Sequence, residues 1–285
     1  MGNYSPLNFK RPSFKNCFGV FINRNDRNAF VAINKFSQLK GELMKGIVLA
    51  GGKGTRLHPL TFATNKHLLP IYDKPMIFYP IQTLVHAGIK QIMVVVSGEH
   101  AGHFISVLRN GKELGVDHLE YGYQQDPQGG IADALRVCED FSDNKPITVI
   151  LGDNTTDADI AKPVKEFNSG ATVFLKEVPD PGRFGVPVFD SKAEKIVKIE
   201  EKPKKPGNNY AVTGLYIYDN QVFNFIRDCK PSWRGELEIT DVNNFYIKKN
   251  QLSWSLLGGY WRDSGTFGTI FESNQYWANK ALNLK

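Results

Sequence analysis

Short runs of β-branched and other apolar residues alternate with stretches of helical periodicity from residue 44 onward. The first part of this region predicts strands at 45–50, 91–96, 118–123 and 147–151, and helices at 77–87, 101–108 and 131–137. Continuous apolar strands separated by helices are typical of a mostly parallel sheet that is covered on both faces. After residue 171 the strands become shorter and prolines punctuate the chain. We therefore predict one α/β domain whose first half is of a nucleotide-binding type.

The composition excludes several other classes of protein. With 285 residues, of which 41% are hydrophobic and 22% charged, the chain is neither disordered nor collagen-like. Its longest apolar runs have the length of a strand, so we expect no membrane-spanning helix and no membrane partner. The three cysteines lie far apart without a CxxC pair. This favours a reducing compartment, and we expect a cytoplasmic location.

Most of the net charge of +6 lies in the first 43 residues, which hold seven Lys or Arg and two acidic residues. The rest of the chain is nearly neutral, so we expect no groove for a nucleic acid. Three interpretations of residues 1–43 stay open: a transit peptide, a binding arm, or translated upstream sequence before a start at Met44. Residues 40–42 can be encoded by purine-rich codons that resemble a bacterial ribosome-binding site, which favours the third. We predict a disordered or non-native extension that is dispensable.

A glycine-rich turn follows the first predicted strand, in the segment Leu49-Ala50-Gly51-Gly52-Lys53-Gly54-Thr55-Arg56-Leu57. Glycines let backbone N–H groups approach an anion closely, and Thr55 and Arg56 add side-chain donors. The spacing matches neither a dinucleotide fingerprint, which would need Gly at position 57, nor a P-loop. A tight strand-to-helix connection would also explain the glycines, so the turn alone leaves both interpretations open.

Two charged residues further along the chain extend this pattern. Lys66 lies ten residues beyond Arg56, in a polar segment that precedes an apolar run. It could be a solvated loop residue, but the chain can also fold back so that Arg56 and Lys66 flank one phosphate. Asp153 follows the predicted strand at 147–151. An open α/β sheet places its ligands there, although a turn or a helix N-cap would equally suit an aspartate.

Taken together, these segments resemble the sugar nucleotidyltransferase family, and within it the shorter glucose-1-phosphate thymidylyltransferases. The resemblance runs in family order from residue 44 to about residue 273, and ten motifs in sequence are very specific. Besides the glycine-rich turn and the Lys66 segment, the motifs are Asp73-Lys74-Pro75-Met76, Gly130-Ile131-Ala132-Asp133-Ala134, Leu151-Gly152-Asp153-Asn154, Arg183-Phe184-Gly185-Val186, Glu200-Glu201-Lys202-Pro203, Asn209-Tyr210-Ala211-Val212-Thr213-Gly214, Gly235-Glu236-Leu237-Glu238-Ile239-Thr240-Asp241 and Trp261-Arg262-Asp263-Ser264-Gly265-Thr266. The family implies a Rossmann-like three-layer α/β/α fold with a mostly parallel, mixed sheet. Residues 44–285 would form one domain, with a nucleotide-binding half at 44–155 and a sugar-binding half at 156–285.

The resemblance implies transfer of a nucleotidyl group from dTTP to glucose-1-phosphate, which gives dTDP-glucose and pyrophosphate for deoxysugar or cell-surface polysaccharide synthesis. Arg56 and Lys66 would be the catalytic cations. Asp153 and Asp263 would hold Mg²⁺, which prefers oxygen ligands. The expected nucleotide-binding residues are Ala50, Gly51, Gly52, Gly54, Thr55, Arg56, Lys66, Gln125, Gly130 and Asp153.

The resemblance also implies how the base and the sugar are recognised. Gln125, five residues before Gly130, matches the glutamine with which the family pairs the O4/N3–H edge of thymine or uracil. The expected sugar-binding residues are Asn154, Gly185, Glu201, Lys202 and Val212. The chain departs from the family at His67, where a glutamine is common. It also resembles the members that lack the C-terminal helices of an inter-subunit effector site, so we expect no feedback regulation of that kind.

Two alternative functions stay open. UTP could replace dTTP, because contact with a single methyl group discriminates by only about 1–3 kcal/mol. A non-catalytic regulatory subunit would keep the fold but lose phosphate-binding or metal-binding groups, and the presence of Arg56, Lys66, Asp153 and Asp263 argues against it. We expect a homo-oligomer.

Overall fold

Each predicted strand and helix of the first half is confirmed in the computed structural model, within a residue or so of its expected bounds. The structure describes residues 44–192 and 194–284, so the expectations for residues 1–43 lie outside the described residues. The strands are β1 Lys45–Ala50, β2 Pro70–Ile71, β3 Lys74–Pro75, β4 Gln91–Val96, β5 His118–Tyr123, β6 Ile147–Leu151, β7 Asn154–Thr156, β8 Ala171–Glu177, β9 Gly185–Phe189, β10 Ile196–Glu201, β11 Tyr210–Tyr218, β12 Leu252–Leu256 and β13 Trp261–Asp263. The α-helices are α1 Phe78–His86, α2 Ala101–Leu108, α3 Ile131–Arg136, α4 Glu139–Ser142, α5 Ala161–Glu166, α6 Val222–Asp228, α7 Ile239–Lys248 and α8 Phe267–Ala281. Short 3₁₀ helices lie at Thr55–Leu57, Leu60–Phe62, Lys66–Leu68, Lys112–Leu114 and Pro181–Arg183.

Nine of the described strands form one mixed sheet. The strand order is β10-β9-β11-β6-β1-β4-β5, and β8 and β12 extend the sheet from β11. The neighbouring pairs β6–β1, β1–β4 and β4–β5 are parallel, whereas β11 runs antiparallel to β6, β8 and β9. Because β11 of the predicted second half pairs with β6 of the first, the two predicted halves share this sheet. That the first half binds the nucleotide and the second half binds the sugar stays a prediction.

The two faces of the sheet belong to two separate hydrophobic cores. Along β1, Ile47 and Leu49 lie in one core, and Val48 and Ala50 lie in the other. Side chains of α3, α6 and α7 cover the first face, and side chains of α1 and α2 cover the second. Strands that are buried on both faces are apolar at every position, which is the pattern that the sequence shows. The three-layer α/β/α fold is therefore confirmed.

The carboxyl ends of β1 and β6 lie side by side and position the site described below. The backbone N–H of Gly152, directly after β6, donates to the carbonyl oxygen of Leu49 in β1 at 2.8 Å. The glycine-rich turn after β1 and Asp153 after β6 therefore begin next to each other at one edge of the sheet, where open α/β sheets bind their ligands. In the described part of the chain, every helix is too short or too polar to cross a membrane.

Candidate active site

Two adjacent cavities lie at the carboxyl ends of β1 and β6 in the described part of the chain. The first, of about 320 Å³, is lined by the glycine-rich turn, Lys66 and the loop before α3. The second, of about 460 Å³, is lined by residues of β9, β10, β11 and α7. Arg56 and Asp153 line both cavities. Ile131, Leu151 and Glu236 also line both, so ligands in the two cavities would meet among these five residues.

The glycine-rich turn is held in shape by hydrogen bonds from its surroundings. Gly52 N–H donates to Ser97 Oγ at 3.1 Å, and Thr61 Oγ1 donates to Gly54 O at 2.9 Å. Gly54 has a φ of 62°, which is the left-handed region that favours glycine. A Cβ at that position would also lie 3.2 Å from the Cβ of Lys66. The turn therefore packs directly against the segment that carries the lysine.

The structure brings most of the predicted nucleotide-binding residues to the first cavity. Those that line it are Gly51, Gly52, Arg56, Lys66, Gly130 and Asp153. Three others lie elsewhere: Ala50 is buried in β1, Gly54 shapes the turn, and Thr55 is exposed. Their predicted contacts with a nucleotide stay predictions.

Lys66 and Asp153 form a close ion pair at the junction of the two cavities. The distance from Lys66 Nζ to Asp153 Oδ2 is 2.5 Å, and their side chains are 14% and 11% exposed. Asn154 Nδ2 donates to the other carboxylate oxygen of Asp153 at 3.0 Å. Burial alone would raise the pKa of Asp153, but the Lys66 ammonium and these hydrogen bonds outweigh it and hold the pKa of this carboxyl below its usual value. Asp153 is therefore a buried carboxylate that stays ionised.

Asp263 lies beside Asp153 because β13 pairs with β7. In this pairing Asp263 is opposite Asn154, and Ser264 N–H donates to Asp153 O at 2.8 Å. Asp263 Oδ1 is buried and has no hydrogen-bond partner among the described residues. Burial, and then the nearby Asp153 carboxylate, raise the pKa of Asp263. Two close carboxylates, one with an unsatisfied oxygen, fit a divalent cation that takes oxygen ligands from the protein and from substrate phosphates.

Arg56 approaches this carboxylate from the glycine-rich turn. A Cβ on Gly265 would lie 3.0 Å from Arg56 Nη2 and 2.8 Å from Asp263 Oδ1. The guanidinium and the carboxylate therefore both lie against Gly265, which leaves them room because it has no side chain. Arg56 and Lys66 thus flank the two aspartates, as the predicted phosphate site requires.

Gln124, and not the predicted Gln125, lies at the first cavity, and which of the two contacts a base stays a prediction. Gln124 is 3% exposed and lines the first cavity, whereas Gln125 is exposed and lies outside it. The reason is the alternation of side chains at the end of β5: Gly122 and Gln124 are buried, and Tyr123 and Gln125 face away from the core. Counting back from Gly130 missed this, although the period of two in the strand was visible in the sequence.

His67 supports the lysine segment from inside the protein. It is 1% exposed and lines the first cavity, and its Nδ1 lies 2.7 Å from Asn65 Oδ1. Asn65 also accepts the backbone N–H of His67 at 3.0 Å and so caps the 3₁₀ helix that carries Lys66. Burial, and then the adjacent Lys66 ammonium, lower the pKa of His67 to about 3. At neutral pH the imidazole is therefore uncharged.

All five predicted sugar-binding residues line the second cavity: Asn154, Gly185, Glu201, Lys202 and Val212. The polar atoms of Asn154 are largely engaged inside the protein. Its Oδ1 accepts from Gly214 N–H at 3.1 Å and from Trp261 Nε1–H at 2.7 Å. Asn154 therefore orients the Asp153 carboxylate as well as lining the cavity.

Sequence reasoning missed two residues of the second cavity, Thr240 and Arg234. Thr240 Oγ1 donates to Glu201 Oε2 at 2.6 Å. Arg234 Nη2 lies 2.8 Å from Glu238 Oε2 and 3.7 Å from Glu201 Oε1. Both belong to, or directly precede, the Gly235–Asp241 motif, so the motif marked the segment but not the side chains that reach the cavity.

Comparisons with known proteins identify the family of this chain. The family model described as "Nucleotidyl transferase" matches residues 45–280. The chain is 43% identical over 239 residues to the glucose-1-phosphate thymidylyltransferase of Neisseria meningitidis, covering 82% of each chain. It is 42% identical over 238 residues to the glucose-1-phosphate thymidylyltransferase of Mycolicibacterium smegmatis, again covering 82% of each.

Two solved structures show the same fold. One is a Bacillus anthracis protein in complex with sucrose, provisionally named a glucose-1-phosphate thymidylyltransferase; it is 48% identical, with a TM-score of 0.77, and the alignment covers 82% of this chain and 94% of that one. The other is a UDP-glucose pyrophosphorylase complexed with UDP-glucose, at 23% identity and a TM-score of 0.72, covering 83% and 99%. The second likeness concerns the fold alone.

Proposed function

The chain belongs to the nucleotidyl transferase family, and from this premise we propose that it transfers a thymidylyl group from dTTP to glucose-1-phosphate. The products are dTDP-glucose and pyrophosphate. One structural observation carries the proposal: a cavity at the glycine-rich turn and a cavity lined by the predicted sugar-binding residues meet at side chains that include Arg56 and Asp153. The names of the relatives, which match the chain over 82% of its length, support the choice of substrates.

The reaction is a displacement at the α-phosphorus of the nucleotide. An oxygen of the sugar phosphate forms the new bond to phosphorus, and the bond between this phosphorus and the oxygen leading to the β-phosphate breaks, so pyrophosphate leaves with the electron pair. The sugar phosphate is largely dianionic at neutral pH, since its second pKa is about 6, and it needs no general base. The protein must overcome the repulsion between two anions and hold them in line.

Arg56 and Lys66 supply fixed positive charge where the two cavities meet. The Arg56 guanidinium lies near Asp263, and the 2.5 Å ion pair with Asp153 holds the Lys66 ammonium at the junction. Donors that are already oriented stabilise the developing charge without reorganising, which makes them worth more than mobile ones.

Asp153 and Asp263 would hold Mg²⁺ through their carboxylate oxygens, and the unpartnered Oδ1 of Asp263 is the strongest support for this assignment. When bound, the ion would neutralise phosphate charge and orient the α-phosphate. Asn154 keeps the Asp153 carboxylate in place through its Nδ2. A cytoplasmic homo-oligomer stays our expectation for the assembled enzyme.

The test is pyrophosphate release from the full chain with a panel of dTTP, UTP, dCTP, ATP and GTP, each with glucose-1-phosphate or galactose-1-phosphate, with and without Mg²⁺. We expect the fastest turnover with dTTP and glucose-1-phosphate, a slower reaction with UTP, and loss of activity without the metal. Mass spectrometry of the nucleotide sugar identifies the product. Faster turnover with a purine triphosphate, or pyrophosphate release that needs no sugar phosphate, would refute the assignment.

A further inference from the structure

Gln124 is held at the first cavity by two hydrogen-bond acceptors. Its Nε2 lies 3.0 Å from Asp133 Oδ2 and 3.2 Å from the carbonyl oxygen of Gly130. A carboxylate oxygen and a backbone carbonyl oxygen can only accept hydrogen bonds. The side of the carboxamide that faces them must therefore be the NH₂ group, and the network fixes which way the amide lies.

The carbonyl side of this amide is left for a ligand. Gln124 Oε1 lies on the side of Gly51, where it is 2.8 Å from the position of a Cβ on that glycine. Gln124 and Gly51 both line the first cavity. No residue in the described ranges 44–192 and 194–284 donates a hydrogen bond to this oxygen. The cavity wall thus presents an acceptor of fixed orientation.

Asp133 is itself held in place. Arg136 Nη2 lies 2.7 Å from its Oδ1, so one carboxylate oxygen binds the arginine and the other binds Gln124. The Asp133 side chain is 13% exposed and lies in the first turn of α3, where the helix dipole favours a negative charge. Its Oδ2 lies against the α-carbon of Gly129, in space that a Cβ would fill. The carboxylate is therefore held directly behind Gln124, which itself lines the cavity.

We propose that Asp133 is a positioning residue that fixes the Gln124 carboxamide and thereby selects thymine or uracil over cytosine. This deepens the proposed function and rests on it. Thymine and uracil carry a hydrogen at N3, which can donate to Gln124 Oε1. Cytosine has an unprotonated N3, which would face the same oxygen as a second acceptor. Because Asp133 Oδ2, together with the Gly130 carbonyl, opposes the reversed amide, the pocket cannot adapt to cytosine.

The test measures nucleotide binding without sugar phosphate, so that it does not depend on turnover. Dissociation constants for dTTP and dCTP are determined by calorimetry in the presence of Mg²⁺ for the full chain and for Asp133→Asn. An asparagine can turn its own NH₂ towards Gln124, which leaves the Gly130 carbonyl as the only acceptor that holds the amide and lets the amide reverse more readily. We expect the preference for dTTP over dCTP to fall by roughly tenfold or more. The reversed Gln124 amide can donate to cytosine N3, so that dCTP no longer places two acceptors against each other.

Three further variants separate positioning from charge and from folding. Asp133→Glu keeps the carboxylate and should restore most of the preference, whereas Asp133→Ala removes the acceptor and should lose it even if Asp133→Asn folds poorly. Asp126→Asn removes a negative charge from the loop before α3, where Asp126 binds the backbone N–H of Gln128 and not Gln124, and should leave the preference unchanged. Circular dichroism confirms that each variant is folded.

The possible outcomes distinguish this inference from the proposed function. A wild-type protein that prefers dTTP, together with an unchanged preference in both Asp133→Asn and Asp133→Ala, overturns the role of Asp133 and leaves the proposed function standing. An equal loss in Asp126→Asn also overturns it, because charge rather than position would then be responsible. A wild-type protein that binds neither dTTP nor UTP refutes the proposed function and the inference together.

Discussion

Lys66 Nζ lies 2.5 Å from Asp153 Oδ2, and the same aspartate lies beside Asp263, whose Oδ1 has no partner among the described residues. The negative charge of Asp153 is thus balanced by a direct ion pair with Lys66, whereas Asp263 makes no direct ion pair among the described residues. This asymmetry explains why the two aspartates have pKa values shifted in opposite directions, downward for Asp153 and upward for Asp263. Replacing the two aspartates should therefore change the stability of the metal-free protein in different ways, although both replacements should reduce activity.

Removing either cation at the junction should damage turnover more than binding. We expect Lys66→Ala and Arg56→Ala each to lower kcat by about 10²–10³-fold, as for the loss of one oriented transition-state donor. Lys53→Ala is the matched control, because Lys53 is an exposed lysine of the same turn that lines neither reaction cavity. Steady-state rates across a Mg²⁺ titration check this, and added metal should not rescue Lys66→Ala. Turnover within a few fold of the wild type in both variants would remove these residues from the active site.

Asp153→Asn and Asp263→Asn should change stability in opposite directions at pH 7. The folded-state pKa of Asp153 is lowered, so this group stabilises the protein above its unfolded pKa of about 3.8, and the contribution disappears as the pH falls. The folded-state pKa of Asp263 is raised, so its contribution is favourable at low pH and is lost as the pH rises through that value. Asp153→Asn also leaves Lys66 unpaired, which costs of order 3–5 kcal/mol for a buried pair.

Thermal unfolding of the metal-free variants checks this contrast. We expect Asp153→Asn to lower Tm, at about 2–4 °C per kcal/mol for a chain of this size, and Asp263→Asn to keep or raise it. Mg²⁺ should raise the Tm of the wild type by mass action and have less effect on either variant. Both variants should have severely reduced activity that high Mg²⁺ partly restores. A clear fall in Tm for Asp263→Asn would contradict the interpretation of its unpartnered oxygen.

The sheet was predictable because its strands are buried on both faces and leave continuous apolar runs such as β1 and β6. The pairing of β13 with β7 was not predictable, because it joins residues more than 100 positions apart through two three-residue strands. Asp263 was therefore assigned from the resemblance and not from any local pattern. Gln124 was passed over for a different reason: the motif match pointed to Gln125, five residues before Gly130, whereas the alternation of side chains at the end of β5 places Gln124 at the cavity. Thr240 acts through another side chain, Glu201, and such a relationship leaves no periodic signal.

His67 should make stability depend on pH in the mildly acidic range. Burial lowers the pKa of His67 from 6.5 to about 3 in the folded protein. A group whose folded pKa is lowered stabilises the protein above its unfolded pKa, and this contribution is lost as the pH falls from about 6.5 towards 3, because only the unfolded chain takes up the proton. The loss is at most about 1.4 kcal/mol per pH unit.

Urea unfolding at pH 7 and pH 5 measures this effect. His67→Gln, which cannot be protonated in this range and can still bond to Asn65, should lose less stability between the two pH values than the wild type. His103→Gln is the control, because His103 is exposed on α2 and should leave the difference unchanged. An equal pH dependence in wild type and His67→Gln would show that the imidazole is not held uncharged.

Thr240 should affect the sugar phosphate and not the nucleotide. Its hydroxyl donates to Glu201 Oε2 at 2.6 Å and holds this carboxylate at the second cavity, where Glu201 is expected to contact the hexose. Valine has nearly the same shape but no donor, so Thr240→Val leaves Glu201 with only its longer contacts, to Lys202 Nζ at 3.5 Å and Arg234 Nη2 at 3.7 Å, both on Oε1. Loss of a hydrogen bond to a charged group is worth about 1.5–3 kcal/mol, and we expect the KM for glucose-1-phosphate to rise by roughly tenfold or more. The KM for dTTP should stay within about twofold, because Thr240 does not line the first cavity.

Thr240→Ser keeps the hydroxyl and should restore most of the affinity for glucose-1-phosphate. Initial-rate measurements with each substrate varied in turn decide the matter: equal increases in both KM values would mean that Thr240 supports the fold of the whole site and does not position Glu201.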